Sequence, residues 1–410
     1  MVVPEDKKKA WRDRYRNGFF LAPMVRLGTL PMRLLCLEYG ADLVWTSEII
    51  DKSIIGTERT VDDKTGVISY MKGDREIFTT HPSEKDKMVF QMGSANPESA
   101  LEAAKRVEQD VSGIDLNCGC PKKFSVGGGM GAALMSDPDK LCAILDILVK
   151  NLSVPVTCKI RVFDDVEKTL ELVRRIAATG ISALTVHCRT KTMRPNEKAM
   201  WGRLRAIVDE VGDLPVVLNG DITKYAHKEH GCKVTGATSV MTARGAGANP
   251  SIFRSEGMLP PLEAAVELTR VCLRTSNLFL NTKYILLQMH PETKSAEYNM
   301  LRSSRRYREL CEAMGLLEYY ESEGKHFITE NCEPTPAKKN HPKPLDDVEK
   351  QGVKRAREDD SEPADNIAKD VAAEDVAAED GATAKTTEIE SPPANSTDDL
   401  EPPSTKRIKI

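Results

Sequence analysis

Short apolar runs rich in Val, Ile, Leu and Phe recur along the chain, separated by gaps wide enough for a helix. They fall at residues 18–22, 42–46, 88–92, 113–117, 154–160, 183–187, 215–219 and 237–241. Near-continuous hydrophobicity over four to seven residues is what parallel strands covered on both faces require. Between the runs lie amphipathic stretches with apolar positions three and four apart, at 97–110, 137–150, 166–179 and 202–211. Ser136 is the expected N-cap of the second of these, with Pro138 in its first turn. Eight strands alternating with helices over roughly 240 residues make one TIM (β/α)8 barrel, an α/β fold. A doubly wound sheet is the rival, but its glycine-rich turn after the first strand is replaced by Ala22-Pro23-Met24-Val25.

Residues 51–87 exceed a simple strand-to-helix connection. Alternation in Val67-Ile68-Ser69-Tyr70 and Glu76-Ile77-Phe78-Thr79, around Lys72-Gly73-Asp74, predicts a hairpin excursion there. Beyond Pro260-Pro261 the periodicity becomes helical only, over 262–281, 282–289 and 296–314. From about residue 330 the chain is rich in Pro, Ala, Glu, Asp, Ser and Thr and almost free of aromatics. Such a segment buries too little apolar surface to offset its ordering entropy. The expected organisation is a barrel domain over 1–258, a small all-α domain over 259–328 and a disordered tail over 329–410.

Charge sharpens that division. The whole chain carries 58 Lys and Arg against 62 Asp and Glu, a net of −4. From residue 331 onward the counts are 12 and 19, which leaves 46 and 43 before it, so the folded part is +3 and the tail −7. A mildly basic globule permits a polyanionic partner. Ten cysteines at irregular positions, with no Cys-x-x-Cys pair, fit free thiols in a reducing compartment and give no zinc signature. The charged start Glu5 to Lys9 is unlike a signal peptide, and no apolar stretch is long enough to span a membrane. The tail runs Lys354-Arg355-Ala356-Arg357 and Lys406-Arg407-Ile408-Lys409 are candidate contacts for nuclear import machinery or nucleic acid. Cytoplasmic or nuclear residence, or both, is the expectation.

In a barrel of this kind chemistry gathers at the C-terminal ends of the strands. The first run ends in Ala22-Pro23-Met24, the third in Gln91, and the fourth in Asn117 and Cys120. The fifth ends in Lys159 and Arg161 and the sixth in His187 and Arg189. Asn219-Gly220-Asp221 and Ala243-Arg244-Gly245 finish the last two. A lone polar residue at a strand end is ordinarily solvated surface. Polar groups at six consecutive ends on one rim are better explained by a large polar ligand, because each buried and unpartnered would cost roughly 1–3 kcal/mol. Loops after strands seven and eight commonly hold a phosphate, and Arg244 suits one. Gln91 and Lys159 can hydrogen-bond a flat polar heterocycle deeper in. Spacing alone does not separate FMN from other phosphorylated cofactors.

The stretch after the fourth run is the most distinctive. It reads Asn117-Cys118-Gly119-Cys120-Pro121-Lys122-Lys123-Phe124-Ser125-Val126-Gly127-Gly128-Gly129-Met130-Gly131, a mobile glycine-rich loop with a cysteine at its root. No Gly-Lys-Ser/Thr follows, so it is not an ATP-binding loop. Together with Leu21-Ala22-Pro23-Met24, Gln91-Met92-Gly93, Cys158-Lys159-Ile160-Arg161 and Val186-His187-x-Arg189, it resembles the catalytic barrel of the tRNA-dihydrouridine synthase family. Asn281-Thr282-Lys283-Tyr284 and Glu312-Ala313-Met314-Gly315-Leu316 are similar to the eukaryotic branch that acts on position 20 of the D-loop. The resemblance covers about residues 12–325.

The resemblance implies a flavoprotein oxidoreductase that reduces the uridine C5–C6 bond in tRNA with FMN and NADPH. It implies FMN contacts at Pro23, Met24, Gln91, Lys159, His187, Asn219, Gly220, Ala243 and Arg244. Cys120 would be the catalytic acid, giving a proton to C5 while the flavin hydride goes to C6. Asn117, Arg161 and Arg189 would face the substrate, and no metal is implied. The helical domain would bind tRNA. Arg302, Arg305 and Arg306, three and four apart, are expected on one helix face as its phosphate contacts. Cys118 is read as structural. Two other readings stay open at this point: an FMN-dependent reductase or dehydrogenase of a free pyrimidine, and a non-catalytic RNA-binding scaffold.

Overall fold

The computed structural model describes residues 4–329 with Cys332 and Glu333. All eight expected strands are present: β1 Phe19–Leu21, β2 Leu43–Trp45, β3 Met88–Gly93, β4 Gly113–Cys118, β5 Val156–Arg161, β6 Ala183–His187, β7 Val216–Asn219 and β8 Ser239–Thr242. Each pairs in parallel with the next, and Phe19 opposite Val240 joins β1 to β8 and closes the barrel. Helices Leu30–Glu38, Pro97–Val107, Pro138–Asn151, Val166–Ala178 and Leu204–Val211 cover the outside.

Strand periodicity sorts the side chains. Outward positions such as Phe19, Val44, Phe90, Ile114, Cys158 and Leu218 join the main core against the helices. Inward positions near the strand starts form a second, smaller core that includes Phe20, Leu43, Trp45, Val89, Ala183 and Val217. Tyr15, just after the N-terminal helix Glu5–Asp13, closes that end, with its ring 6.4 Å from both Phe20 and Trp45. Burying each such aromatic contributes about 1.5–3 kcal/mol. Further along the same inward rows stand Gln91, Asp115, Asn117, Lys159, His187 and Asn219. The barrel interior thus runs from a dry floor to a polar mouth, and this gradient positions the site.

The hairpin excursion is present as strands Ile68–Lys72 and Arg75–Thr80. A third strand, Glu58–Val61, pairs on its edge. The helix cap differs from expectation: Asp137, not Ser136, accepts the Lys140 amide, and Pro138 follows in the first turn. The helical region is also more broken than its periodicity predicts. In place of one helix over 262–281 there are Pro261–Arg274 and Phe279–Met289. Ser276 turns left-handed between them, with φ of 51°. Asn277 holds the turn by donating to Thr282 Oγ1 at 2.8 Å.

The stretch 296–314 likewise divides into Ala296–Ser303 and Tyr307–Ala313, with extended backbone at Ser304 and Arg306. Tyr307 is the cause: its buried hydroxyl donates to the Asn277 carbonyl at 2.5 Å and meets Thr282 Oγ1 at 2.7 Å. Arg302, Arg305 and Arg306 therefore do not share one helix face. Arg302 ends one helix and Arg306 caps the next, although all three are exposed. The tail and both of its basic runs lie outside the described residues, and among those described no helix is long and apolar enough to cross a membrane.

Candidate active site

Two clefts open side by side at the C-terminal ends of the strands. One has a volume of about 230 Å³ and is lined by Pro23, Gln91, Asn117, Cys120, Lys159, Arg161, His187, Asn219 and Ala243 among others. The second has a volume of about 210 Å³ and shares Arg161, His187, Asn219 and Ala243, adding Arg189, Gly220, Asp221 and Arg244. Of the residues the sequence nominates for the barrel mouth, Met24 alone lines neither cleft. Its carbonyl instead accepts from Ser47 Oγ and Gly28 N at 2.8 Å each, which folds the loop after β1. Arg302, Arg305 and Arg306 line neither.

A hydrogen-bonded row across the barrel places the cysteine. Thr157 donates to Asp115 at 2.6 Å, Gln91 Nε2 donates to the other Asp115 oxygen at 2.8 Å, and Asn117 Nδ2 donates to Gln91 Oε1 at 3.3 Å. The Asn117 oxygen then accepts the amides of Gly119 and Cys120 at 3.0 and 3.1 Å. Asn117 and Gln91 are thus committed to holding the loop root as well as lining the cleft. Burial pushes Asp115 up to about 6. The loop itself folds into a short helix, Lys123–Gly127. Gly131, with φ of 57°, cannot be replaced without cost: a Cβ there would stand 2.6 Å from the Cys120 carbonyl and 2.4 Å from Ser125 Oγ. Cys118 points outward into the main core, its sulfur 3.5 Å from that of Cys158, in keeping with a structural role.

Cations dominate the mouth. Lys159, Arg161, His187, Arg189 and Arg244 converge there. Burial, then the charges of Lys159, Arg161, Arg189 and Arg244, lower His187 to about 2, so its ring is neutral at any physiological pH. Burial and the neighbouring Arg161 lower Lys159 to about 8, against only partial support from Asp115. Arg161 is fixed by donating to the carbonyls of Gly119 at 2.8 Å and Thr190 at 3.0 Å. Asp221, left-handed with φ of 57°, binds both Arg189 and Arg244 and so aligns the two guanidiniums. Arg189 is nearly buried and also donates to the Glu197 carbonyl at 2.7 Å, which makes it more a strut than a free contact. Asp221 and Asp115 were not singled out in the sequence, since a carboxylate beside expected phosphate or heterocycle contacts gives no obvious signal.

A rim with four cationic side chains, a neutral histidine and one half-buried carboxylate fits an anionic ligand, and Gly220 keeps the approach open where a Cβ would come 3.0 Å from Ala199 Cβ. The residues therefore fit a phosphorylated flat cofactor. The unliganded mouth should also show its strain in titration. Because Lys159 holds its proton more weakly folded than unfolded, its contribution to stability rises as pH climbs from about 8 to the ordinary 10.5. Thermal melts across that range should show the rise, and Lys159→Met should remove it. Parallel curves for the two proteins would refute the buried-cation reading.

A model described as Dihydrouridine synthase (Dus) matches residues 20–340. The chain is 43% identical over 333 residues to tRNA-dihydrouridine(20) synthase, NAD(P)+, of Schizosaccharomyces pombe, covering 78% of this chain and 68% of that protein. It is 39% identical over 300 residues to the Saccharomyces cerevisiae protein of the same description, covering 68% and 78% respectively. With tRNA-dihydrouridine synthase B of Pasteurella multocida it shares 29% over 294 residues, covering 71% and 81%.

Proposed function

Because this chain belongs to the dihydrouridine synthase family, we propose that it reduces uridine in tRNA to 5,6-dihydrouridine at position 20 of the D-loop, using bound FMN and NADPH. The observation that carries the reading is the placement of Cys120, Asn117, Lys159, Arg161 and His187 around one cleft beside a cationic rim. Lys159, Asn219, Gly220 and Arg244 would hold the cofactor, whose phosphate would lie against the rim. When bound, the flavin supplies the hydride for uracil C6.

The chain's own residues then have distinct tasks. Cys120 holds a proton at Sγ: burial first, and the negative charge of Glu48 second, push its thiol above the ordinary range. A thiol kept protonated is suited to be an acid, in contrast to the depressed thiols of nucleophilic cysteines. Lys159 places positive charge where electron density builds on a carbonyl oxygen, in a site whose low polarity strengthens the effect. Neutral His187 can donate one hydrogen bond without adding charge. Asn117 and Gln91 keep the Cys120 loop in register. The target base has to leave its stack to reach this depth.

Affinity for the folded RNA would come from basic side chains outside the mouth. Arg302, Arg305 and Arg306 serve this role as an exposed cluster spanning the end of one helix and the link to the next rather than as a single stripe. Reversing the charge of Arg305 and Arg306 together should lower the salt slope of tRNA binding by up to about two. Filter binding from 50 to 200 mM salt checks it, and an unchanged slope would leave these residues as solvated surface. Mass spectrometry of tRNA nucleosides after incubation with NADPH tests the function itself. Dihydrouridine should accumulate on a tRNA transcript and not on free uridine, and a colourless protein yielding none would end the proposal.

A further inference from the structure

The second strand delivers one residue that the account above uses only as a charge. Glu48 lies three positions beyond β2 and lines the cleft with Cys120 and Asn117. Gly93, at the end of β3, makes room for it, since a Cβ there would stand 2.6 Å from Glu48 Oε1. Ser125 on the glycine-rich loop donates to Oε1 at 3.1 Å. The other oxygen, Oε2, is buried without a hydrogen-bond partner among the described residues. The carboxyl and the Cys120 thiol line the same cleft and perturb each other, and burial holds the carboxyl above its ordinary range. Also bearing on the sulfur are the Lys122 amide and Ser125 hydroxyl of its own loop and, from β5, the charges of Lys159 and Arg161. A buried carboxyl oxygen with no donor is costly unless it exchanges a proton.

We propose that Glu48 is the proton donor that restores the Cys120 thiol after each turnover. The inference rests on the reading of Cys120 as the acid. In the reductive step the S–H bond breaks, its proton goes to the substrate carbon, and the electron pair stays on sulfur. A thiolate then stands beside a carboxylate, and two adjacent anions in a half-buried cleft favour uptake of a proton from water by the carboxyl. That O–H bond breaks as the new S–H bond forms, the carboxylate returns to its starting state, and hydroxide is left to the solvent. The proton consumed overall in adding hydride and proton to the double bond thus enters through Glu48. No oxidant or reductant beyond that of the main reaction is involved.

The test separates the first turnover from those that follow. Flavin-loaded, prereduced enzyme is quenched rapidly after mixing with one equivalent of tRNA transcript, and the same variants are followed at steady state with excess NADPH. Glu48→Gln should keep the first turnover within about threefold of the parent while its steady-state rate falls about tenfold or more. Iodoacetamide labelling of Cys120 at fixed pH, read by mass spectrometry, should become several-fold faster once the carboxylate is gone. Ser125→Ala, which removes the loop tether and the hydroxyl beside the sulfur but not the carboxyl, should alter the first turnover and the steady state by the same factor. The inference is overturned if Glu48→Gln leaves the steady-state and labelling rates unchanged, if both of its kinetic phases fall together, or if Ser125→Ala reproduces the loss at steady state alone. Product from Cys120→Ala at the parental rate would instead remove the reading of Cys120 on which it depends.

Discussion

Replacing Cys120 by alanine is expected to lower dihydrouridine formation by about 10²–10⁴-fold, the usual contribution of a positioned proton donor. The change removes little packing, because Cys120 is half-buried at a cleft edge and its backbone stays fixed by the Asn117 side-chain oxygen and by the Ala132 amide. Flavin content and NADPH oxidation by small acceptors should therefore survive while transfer to tRNA is lost. The pH profile supplies an independent check. The Cys120 thiol is held above its ordinary value, so the acid form is present through neutral pH and is lost only on the alkaline side. His187, lowered to about 2, contributes no inflection near the usual 6.5. A rate that is level from pH 6 to 7 and falls on the alkaline side, as Lys159 loses its charge near 8 and the thiol its proton higher still, agrees with both assignments. An acid limb centred near 6.5 would contradict the neutral histidine, and a variant lacking the thiol but retaining full product would contradict the acid.

How much of this was legible beforehand depended on which physical constraint each residue obeys. The eight barrel strands were readable to within about two residues, because burial on both faces forces an apolar run with turn residues at its ends. Most of the mouth was readable for the same reason: once the strands were placed, Asn117, Lys159, His187 and Asn219 had to fall on one rim. Glu48 escaped because it is not on a strand. It follows β2 in irregular chain, and its position is set by the short strand Ile49–Ile50 folding back beside Met92 and Gly93, a contact with no local signal. Asp115 escaped for the opposite reason, being mid-strand, where a carboxylate interrupts the apolar pattern yet is satisfied by Thr157 and Gln91 from neighbouring strands. In the helical region periodicity continued across two breaks, the left-handed turn before Asn277 and the link before Tyr307. The two are joined by the tertiary hydrogen bonds of the Tyr307 hydroxyl to the Asn277 carbonyl and Thr282. Local pattern could not register those bonds, so the arginines were placed on a single face that does not exist.

The largest effect on stability is expected from a pair far from the chemistry. Arg33 and Glu84 are both almost completely buried, and their charged ends meet at 2.6 Å. The guanidinium spends its remaining donors on the Gly28 carbonyl at 2.8 Å and the Thr79 carbonyl at 2.8 Å, and Thr80 Oγ1 donates to Glu84 at 2.8 Å. One ion pair thereby ties the loop after β1, which carries Pro23, to the inserted three-stranded sheet. Arg33→Met leaves a carboxylate buried with one neutral donor and two carbonyls without theirs. The expected loss is about 3–5 kcal/mol, and the melting temperature should fall by several degrees. Replacing both partners, as Arg33→Met with Glu84→Leu, removes the stranded charge and should recover a large part of that loss. Because Gly28 is released in either case, retention of a ligand beside Pro23 should weaken even in the recovered double variant. Chemical denaturation of the single and double variants separates the two contributions. A single variant as stable as the parent would show that water reaches the pair. A double variant no better than the single would show that the carbonyls, rather than the carboxylate, carry the cost.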